Sequence, residues 1–563
     1  MIVLSKNINR NDKHCLMKTI DSAFFIVKEE RIVYNIKRDE VMDMYYLDTD
    51  IPVELFQRVL KKKIYVDKSM LIDKFNDFIG SEDCYFCITR PRRFGKTINA
   101  NMLGAYYTQG YDTHDLFKDL KIVQTASYEE HINKHHVIYI DFSNVPQNCN
   151  SYEQYIDSIY KKMRKDLIDY FHIEVHETDD SLSDFFLASQ EKFIFIIDEW
   201  DSIFYKDFMQ EKDKKAYLEF LKGLLKDQPY VELAYMTGVL PIKKYSSGSA
   251  LNMFDEYTFL KDRSFGEYFG FTEYETLELC NKNGELRFEE VEAWYNGYLT
   301  ATGIRIYNPR SVVKALKNNY CESYWTNTGA MDEVVEYLKY NTLDICDDVI
   351  EMVSGEEIDI TINEEFRAGQ RAPRTKKEIY SAMIVLGFLS YYDGYLKIPN
   401  KELMQEFEKA LEDKSFGYVS KIIENSKNML KATVNGDTDT IKSILHDIHN
   451  SEIPILQYND ENSLSCVLTL AYLAARDTYR IEREEKSGKG YADFTFHPRR
   501  KNDTAFIVEL KKDESPEVAI NQIKKKEYVE KFKRENNNHS ILAVAICYDS
   551  KIKEHYCKIE ELR

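Results

Sequence analysis

Apolar and polar residues are distributed along the first half of the chain in a way that predicts buried strands separated by helices. Four short, mostly apolar runs occur at residues 85–89, 136–142, 193–197 and 231–238, and each has the length of one buried strand. Long helix-like stretches lie between them. Strands that alternate with helices in this way predict a mainly parallel, doubly wound α/β sheet over residues 51–262.

The second half divides, by the same pattern, into four further segments. Residues 263–375 have a helical character and an acidic balance, and we interpret them as a helical lid. Residues 376–410 predict a helix, a hairpin that turns at Asp393-Gly394 and a second helix, an order compatible with a winged helix or with a bare helix–hairpin. Residues 411–450 predict a helical connector, and residues 451–563 predict a C-terminal α/β domain.

Composition limits the function classes. The chain has 563 residues, enough for several domains, and its net charge of −19 does not attract nucleic acid or an anionic membrane as a whole. Residues 481–563 carry 18 Lys and Arg against 16 Asp and Glu, which is +2 and leaves −21 on the rest. This balance is a weak indication that a polyanion such as DNA or RNA binds at that end, and an ordinary solvated helix face explains the lysines equally well.

Targeting and redox features are those of a cytoplasmic protein. No apolar run approaches the ~20 residues that span a bilayer, and residues 1–40 carry charges throughout, without the apolar centre of a signal peptide. The ten cysteines are scattered, which predicts reduced and mostly buried thiols. Cys84 and Cys87 are three apart on a predicted strand, so they point to opposite faces and cannot chelate one ion. Residues 1–50 form an N-terminal extension whose role the sequence does not indicate.

The first candidate site follows the first predicted strand. Gly95-Lys96-Thr97 lie between that strand and a helix-like segment. In such a loop, backbone N–H groups and the lysine hold the phosphates of ATP, and the threonine hydroxyl holds Mg²⁺. Glycine usually stands five positions before Gly95, where it allows a tight turn, but this chain has Arg90 there. We therefore predict nucleotide binding, whereas hydrolysis follows less directly from the sequence.

A second motif supplies the acidic half of the same site. Asp198-Glu199 follow the apolar run 193–197, and we predict that Asp198 holds Mg²⁺ while Glu199 polarises the attacking water. Thr237 ends the next predicted strand, where it would sense the terminal phosphate or the water; a cap on the following turn explains it equally well. A chance Gly-Lys-Thr sequence is the competing explanation for the whole site, and the paired carboxylates disfavour it.

Another set of charges lies near the C-terminus. Asp493 and the run 504–511 predict the two strands of a hairpin, with Glu509 and Lys511 on one face of the second strand. In this arrangement Asp493 and Glu509 would hold a divalent cation, and Lys511 would orient or deprotonate the water that cleaves a phosphodiester. Solvated charges at a strand edge are the competing explanation. Glu461, at the start of the preceding apolar helix, would complete the carboxylate set, and Gln522 and Tyr528 lie on the predicted helix that follows.

These motifs together resemble bacterial AAA-ATPase-like proteins that carry a C-terminal PD-(D/E)XK nuclease-superfamily domain. The resemblance covers about residues 51 to 550, and it implies a restriction-endonuclease-like fold for the C-terminal domain. An arginine-rich loop is usual in these proteins, so the resemblance implies that Arg90 is no defect and that Arg92 and Arg93 contribute to nucleotide binding. A role in defence or in mobile elements follows by analogy only. The similar segments are residues 65–68, 89–97, 197–201, 236–241, 491–493, 508–511 and 522–528.

We therefore predict a P-loop ATPase with a helical and winged-helix middle and a C-terminal nuclease-like domain. Its cofactors would be ATP and Mg²⁺, its further partners DNA or RNA, and no membrane contact is expected. No arginine finger stands out, so a homo-oligomer that completes the ATP site stays open. The alternative is a nucleotide-dependent switch in which the nuclease-like domain is inactive and the middle segments bind partners.

Overall fold

The computed structural model of the chain describes residues 44–176, 181–242, 250–325, 344–362, 365–368, 373, 375–411, 418–449, 467–483, 494–499, 503–525 and 540–562. All of them belong to one compact unit, Asp43–Arg563. A parallel sheet, a mixed helical and antiparallel middle and a C-terminal mixed sheet follow one another along the chain. The predicted α/β class is confirmed.

The first sheet is built from five parallel strands: β1 (Tyr85–Thr89), β2 (His136–Asp141), β3 (Phe193–Asp198), β4 (Val231–Gly238) and β5 (Asp255–Tyr257). Their order is β2-β3-β4-β1-β5. Every position of β3 is buried, as expected of a strand that is covered on both faces and therefore apolar throughout. β5 was not predicted, because an edge strand of sequence Asp-Glu-Tyr leaves no apolar run.

Eight α-helices lie among the described residues of the same part of the chain. The starts of several have the expected chemistry, such as the capping box of Ser181 and Asp184 at the seventh helix. The helices are α1 (Ile51–Leu60), α2 (Met70–Asn76), α3 (Lys96–Tyr107), α4 (His114–Phe117), α5 (Tyr128–His131), α6 (Tyr152–Phe171), α7 (Leu182–Ala188) and α8 (Glu211–Leu225).

Residues 44–48, the edge segment, lie along the free side of β2. Leu47 forms an antiparallel bridge with Ile138, and the backbone N–H of Asp48 donates to the Val137 carbonyl at 2.8 Å. The carboxylate of Asp166 accepts from the N–H groups of residues 45, 46 and 47 at 2.7–3.2 Å. The edge segment therefore belongs to the sheet, although the sequence placed the start of this domain at residue 51.

The next part combines helices with a small antiparallel sheet. β6 (Phe271–Thr272), β7 (Tyr298–Leu299) and β8 (Arg305–Tyr307) pair in the order β6-β8-β7. The sequence predicted only helices here, because strands of two or three residues are too short to show an alternating pattern. The helices are α9 (Glu273–Asn283), α10 (Phe288–Tyr295) and α11 (Pro309–Asn318).

The start of α11 is strongly specified by its sequence. The side chain of Asn308 accepts hydrogen bonds from the N–H groups of Arg310 at 3.0 Å and Ser311 at 3.3 Å, and Pro309 is the first helical residue. An asparagine cap followed by proline fixes where a helix begins. The position of Arg310 in the first turn is fixed with it.

A helix, a strand, a second helix and a hairpin follow, and a third helix ends this part. The hairpin turns at Asp393 (φ 51°) and Gly394 (φ 90°), as predicted. The second helix, residues 376–386, is buried at every position from Ile379 to Leu386. Neighbouring elements cover all its faces. The elements are α12 (Asp344–Ser354), β9 (Ile358–Asp359), α13 (Lys376–Leu386), β10 (Ser390–Tyr392), β11 (Tyr395–Lys397) and α14 (Lys401–Leu411).

The C-terminal part is a mixed five-stranded sheet preceded by two helices. The strands have the order β12-β13-β14-β15-β16, with β14 and β15 parallel and the other pairs antiparallel. Among the described residues, no helix is both long and apolar enough to cross a membrane. The elements are α15 (Tyr418–Asn435), α16 (Thr438–His449), β12 (Tyr479–Arg483), β13 (Phe494–Pro498), β14 (Ala505–Lys512), α17 (Pro516–Lys525), β15 (Ile541–Asp549) and β16 (Glu554–Glu561).

Candidate functional site

The carboxyl ends of β1, β3 and β4 meet at one edge of the parallel sheet. The loop after β1 carries Gly95-Lys96-Thr97, β3 ends at Asp198, and Thr237 is the penultimate residue of β4. β4 lies between the other two strands. The carboxyl edge of a parallel sheet is where ligands bind in open α/β folds, so the predicted nucleotide residues converge where a site is expected.

The phosphate loop, residues 90–97, has a backbone that requires glycine at its end. Gly95 has φ 91° and directly precedes α3, and Arg93 also adopts a positive φ of 73°. The Lys96 side chain is 3% exposed, and its Nζ donates to the carbonyl oxygens of Arg90 at 3.1 Å and Pro91 at 3.2 Å. Free N–H groups at a helix start and a buried ammonium group within the loop favour an anion there. Thr97 and Arg92 are exposed.

Arg90 stands at the position that is usually glycine, and its side chain is buried. Its side chain is 1% exposed, and the guanidinium pairs with Asp262. It also donates to the Thr89 and Tyr257 carbonyl oxygens at 2.8 Å, and it stacks over the ring of Phe269. The residue has no positive φ. The turn therefore does not need glycine at this position, and the arginine ties the loop to the segment after β5.

Asp198 is a buried carboxylate that favours a positively charged neighbour. It is 1% exposed, and its Oδ1 accepts from the Glu199 N–H at 3.0 Å. Burial, followed by the charge of Glu199, raises the pKa of Asp198 to about 7, while the nearby Thr97 hydroxyl and Lys96 lower it. Within the described part of the chain, no hydrogen bond to its buried Oδ2 meets normal geometry. A buried oxygen of this kind is suited to a metal ion.

Glu199 is the most accessible acid of the site. Its side chain is 30% exposed, it lines the pocket, and its Oε1 lies 3.9 Å from the Nζ of Lys96. Its backbone has φ 50°, an unusual conformation for a residue other than glycine. Strained backbone of this kind is common at functional positions, where the surrounding structure holds a side chain in a set direction.

Thr237 and Asp201 organise the base of the site. The hydroxyl of Thr237 is buried and donates to the Ile88 carbonyl at 2.8 Å, so it joins β4 to β1, and Thr237 is not among the residues that line the pocket. The buried Asp201 accepts from the N–H groups of Val239 and Leu240. Burial, followed by the charge of Glu199, raises the pKa of Asp201 to about 6.

A pocket of about 420 Å³ opens beside the phosphate loop, within the usual range for small-ligand sites. One wall comes from α1 and the chain after it, and the opposite wall comes from β6 and α11. Its apolar lining consists of Val59, Ile64, Val66, Phe94, Ile98, Phe271 and Val313. Among the described residues its charged lining consists of one acid, Glu199, and seven bases, Lys62, Lys68, Arg93, Lys96, Arg310, Lys314 and Lys317.

One of these bases is neutralised within the protein. Lys68 donates to both carboxylate oxygens of Glu275 at 2.7 Å and to the Glu267 carbonyl at 2.6 Å. The excess of the other bases over Glu199 makes the pocket strongly electropositive. A pocket lined by apolar side chains together with basic ones suits a ligand that is flat and apolar at one end and anionic at the other.

The C-terminal candidate site is partly described. Glu509, at the middle of β14, is 1% exposed, and its Oε1 lies 3.2 Å from the Nζ of Lys511. The two side chains therefore share a strand face, as predicted. Asp493 lies outside the described residues; Phe494, which follows it in the sequence, pairs with Val508. Gln522 lies on α17, and Glu461 and Tyr528 lie outside the described residues. In the described part of the chain, no group of three or more His, Cys, Asp or Glu has a metal-binding arrangement.

Comparison with known proteins identifies both parts. Residues 50–247 match a family model described as a predicted AAA-ATPase, and residues 459–556 match the model of the PD-(D/E)XK nuclease superfamily. The chain combines an AAA-ATPase-like domain with a PD-(D/E)XK nuclease-superfamily domain. A search among curated proteins returns no match.

Two solved structures have weak similarity to this chain. The Walker-type ATPase PABY2304 of Pyrococcus abyssi is 13% identical, with a TM-score of 0.30, over 60% of this chain and 94% of its own. The ORC2 protein of Aeropyrum pernix, in ADPNP–ADP complexes, is 10% identical, with a TM-score of 0.28, over 64% of this chain and 98% of its own. These values are too low to support an argument about this chain.

Several residues of the AAA-ATPase-like pocket lie far from its motifs in sequence. Lys314 and Lys317 carried no motif, and their spacing of three on one helix was the only available signal. Arg310 follows Asn308-Pro309, a sequence that indicates a helix start but not a ligand contact. Asp201, at the end of the Asp-Glu-Trp-Asp run, does not line the pocket. Its carboxylate supports the site by accepting hydrogen bonds from backbone N–H groups.

Proposed function

We propose that this protein is a P-loop ATPase whose nucleotide state controls a metal-dependent, nuclease-like C-terminal domain that acts on nucleic acid. The observation that carries the ATPase half is the electropositive pocket beside Gly95-Lys96-Thr97, with the buried Asp198 behind it. The family matches support the coarse ATPase and nuclease-like architecture. The substrate, the metal and the coupling between the two domains are parts of the proposal.

Each residue of the ATP site would have a definite role. The N–H groups at the start of α3 would bind the phosphates, and Lys96 would leave the carbonyl oxygens of its own loop to contact the β- and γ-phosphates. Arg93, from the phosphate loop, and Arg310, from the opposite wall, would contact the terminal phosphates. Glu199 faces the pocket and would polarise the attacking water.

The donor set fits Mg²⁺. The buried Oδ2 of Asp198 and the Thr97 hydroxyl are oxygen ligands of the kind that Mg²⁺ prefers. Bound there, the cation would neutralise charge that develops on the phosphates. Asp198 itself would become ionised when the cation binds, because a positive neighbour offsets the burial that raises its pKa.

The nuclease half of the proposal rests on Glu509, Lys511 and the undescribed Asp493. Glu509 and Asp493 would hold a divalent metal ion, and Lys511 would orient or deprotonate the attacking water. The ion pair between Glu509 and Lys511 on one strand face supports this assignment. The metal would supply Lewis-acid stabilisation of the phosphate oxygens.

The burial of helix α13 favours a second function, that of a nucleotide-dependent switch. Helix α13 is buried from Ile379 to Leu386, so its central face is covered and would not enter a groove of DNA in the way that a recognition helix does. This favours a role of residues 376–411 in nucleotide-dependent contacts within the protein. The corresponding function is a nucleotide switch with an inactive nuclease-like domain.

Lys96→Ala tests the nucleotide site. We expect ATP affinity, measured by titration calorimetry, to fall by at least about a hundredfold, because a buried charge-assisted contact to phosphate contributes several kcal/mol. Lys118→Ala is the matched control, since Lys118 is exposed, pairs with Asp115 and lies outside the pocket. Equal affinity of Lys96→Ala and the control would refute the phosphate-loop assignment.

Cleavage assays separate the two functions. Plasmid, single-stranded DNA and RNA would be incubated with the protein and Mg²⁺ or Mn²⁺, with and without ATP. Metal-dependent cleavage that is lost in Asp493→Ala and altered by Lys96→Ala supports the coupled ATPase and nuclease. Absence of cleavage on all three substrates, together with intact ATP binding, supports the switch.

A further inference from the structure

A buried carboxylate lies directly behind the wall of the nucleotide pocket. Glu402, the second residue of α14, is 2% exposed. It accepts hydrogen bonds from the Ser311 hydroxyl at 2.8 and 3.0 Å and from the N–H groups of Tyr324 and Trp325 at 2.6 Å. Three donors around one buried carboxylate form a network that fixes all of its members.

The first branch of this network reaches the phosphate loop through α11. Ser311 follows Arg310 in the first turn of that helix, so the hydrogen bond to Glu402 holds the turn that carries Arg310. The charges of Arg310 and Glu402 both act on Arg93 of the phosphate loop. Burial lowers the pKa of Arg93, the nearby Arg310 lowers it further, and Glu402 opposes both. Glu402 therefore offsets the repulsion between two cations that line the pocket.

The second branch reaches the back of the phosphate loop through Trp325. The Trp325 ring lies beside Gly387, the residue that ends α13. A Cβ on Gly387 would lie 2.6 Å from the Cβ of Pro91 in the phosphate loop, so the two backbones are in close contact. Tyr298 donates to the Gly387 carbonyl at 2.7 Å and packs edge-on against the ring of Phe94. The end of α13 thus supports the loop from the side opposite the pocket.

We propose that Glu402 is a positioning residue of the nucleotide site, which holds Arg310 and the back of the phosphate loop in place for the terminal phosphate. This inference rests on the proposed function, since it requires that the pocket bind nucleotide. Glu402 does not line the pocket. It acts through Ser311 on one side and through Trp325 on the other.

The test compares ATP and ADP affinities, because a residue that positions Arg310 for the terminal phosphate affects ATP more than ADP. Burial raises the pKa of Glu402 to about 7, so the comparison is made at pH 8, where the carboxylate is ionised. There Glu402→Gln keeps the size and an accepting oxygen but removes the charge, and we expect about tenfold weaker ATP binding with ADP binding changed less than about threefold. The matched control is Glu406→Gln, one turn along the same helix, where the carboxylate pairs with Lys409 and not with α11. The control should bind both nucleotides as the wild type does.

A double-mutant cycle identifies the route of the effect. Because Glu402 acts partly through Arg310, the double variant Glu402→Gln, Arg310→Ala should lose less ATP affinity than the sum of the two single losses. Full additivity of the two losses would overturn the proposal. A wild-type ATP affinity in Glu402→Gln, with Lys96→Ala still defective, would overturn it as well and leave the proposed function standing. A wild type that binds no ATP would refute the proposed function, and the inference with it.

If Glu402→Gln does not fold, a comparison of Gly387→Ala with Gly394→Ala tests the support of the phosphate loop by the end of α13. Gly387 and Gly394 have φ 89° and 90°, so alanine strains the backbone equally at both. Only at Gly387 does the new Cβ meet Pro91, whereas at Gly394 nothing lies within 4 Å. We expect Gly387→Ala to bind ATP about tenfold more weakly than Gly394→Ala, since displacement of the phosphate loop by a few tenths of an ångström misplaces its donors. Equal affinities would overturn the proposal.

Discussion

The replacement of Asp198 by asparagine is expected to stabilise the nucleotide-free protein at alkaline pH. The pKa of this carboxyl is about 7 in the folded protein against 3.8 for the ordinary side chain. The stability contributed by the protonated form is therefore complete below about pH 3.8. It declines as the pH rises from 3.8 to 7, and it is absent above 7, where the folded protein holds a buried, ionised aspartate.

The magnitude follows from the linkage between pKa and stability. A shift from 3.8 to about 7 corresponds to an upper limit of about 4 kcal/mol at roughly 1.4 kcal/mol per pKa unit. Between pH 5 and pH 8 the cost grows by about 2–3 kcal/mol on the same scale. The asparagine side chain of the Asp198→Asn variant does not titrate, so the advantage of the variant over the wild type should increase by that amount across this interval.

The assay is the thermal transition of the AAA-ATPase-like domain, followed in both proteins at pH 5, 6, 7 and 8 without nucleotide. At about 2–4 °C per kcal/mol, the difference in Tm between the Asp198→Asn variant and the wild type should grow by about 5–10 °C from pH 5 to pH 8. The asparagine amide adds a buried donor that can cost about 1–3 kcal/mol, but this cost does not vary with pH. The quantity to measure is therefore the change with pH of the Tm difference between the Asp198→Asn variant and the wild type.

With Mg²⁺ and ATP bound, the wild type should become more stable than the Asp198→Asn variant. Binding of the metal–nucleotide complex stabilises the folded wild type by RT ln(1 + [L]/Kd). Asp198→Asn should gain less, because it has lost an anionic metal ligand and its Kd is higher. A Tm difference between the two proteins that is constant from pH 5 to pH 8 would refute the assignment of a raised pKa to Asp198. An undiminished Mg²⁺-dependent gain in the variant would refute its role as a ligand.

Two further predictions address the chemical steps. Glu199→Gln should keep ATP affinity within about threefold and lower turnover, measured by phosphate release, by at least about a hundredfold, because a positioned general base contributes at that scale; turnover near the wild-type value would remove Glu199 from the mechanism. Lys511→Ala should abolish metal-dependent cleavage of nucleic acid, whereas Lys512→Ala, on the opposite face of the same strand, should keep it. Equal activity of the two variants would mean that the site lies elsewhere.

The sequence predicted those parts of the fold that depend on local pattern. The strand β1, which precedes the phosphate loop, and the strand β3, which ends at Asp198, are mostly apolar. The Asp393-Gly394 turn has the positive φ angles that these residues favour. The edge strand β5 was missed because three polar residues leave no pattern. The complete burial of α13 was not predicted, because the periodicity of apolar residues along a helix cannot show that neighbouring elements cover all of its faces.

The candidate site was predictable only where its residues belong to a motif. The Lys96 and Asp198 positions follow from loop and strand-end chemistry. The role of Arg90 does not, because its partner Asp262 is brought to it by the packing of the sheet. Glu402 shows the same limit: nothing in its local sequence indicates that it will be buried beside Ser311. Such long-range polar contacts are properties of the tertiary structure.

The edge segment at residues 44–48 has a consequence for how the AAA-ATPase-like domain can be isolated. The family match begins at residue 50, but β2 would then lose the backbone partners at Tyr46 and Asp48. Unpaired edge strands recruit other chains and promote aggregation. Asp166 would also lose the three N–H groups that satisfy its carboxylate. The shortest self-contained form of the domain therefore starts before Tyr45, upstream of the boundary that sequence similarity marks.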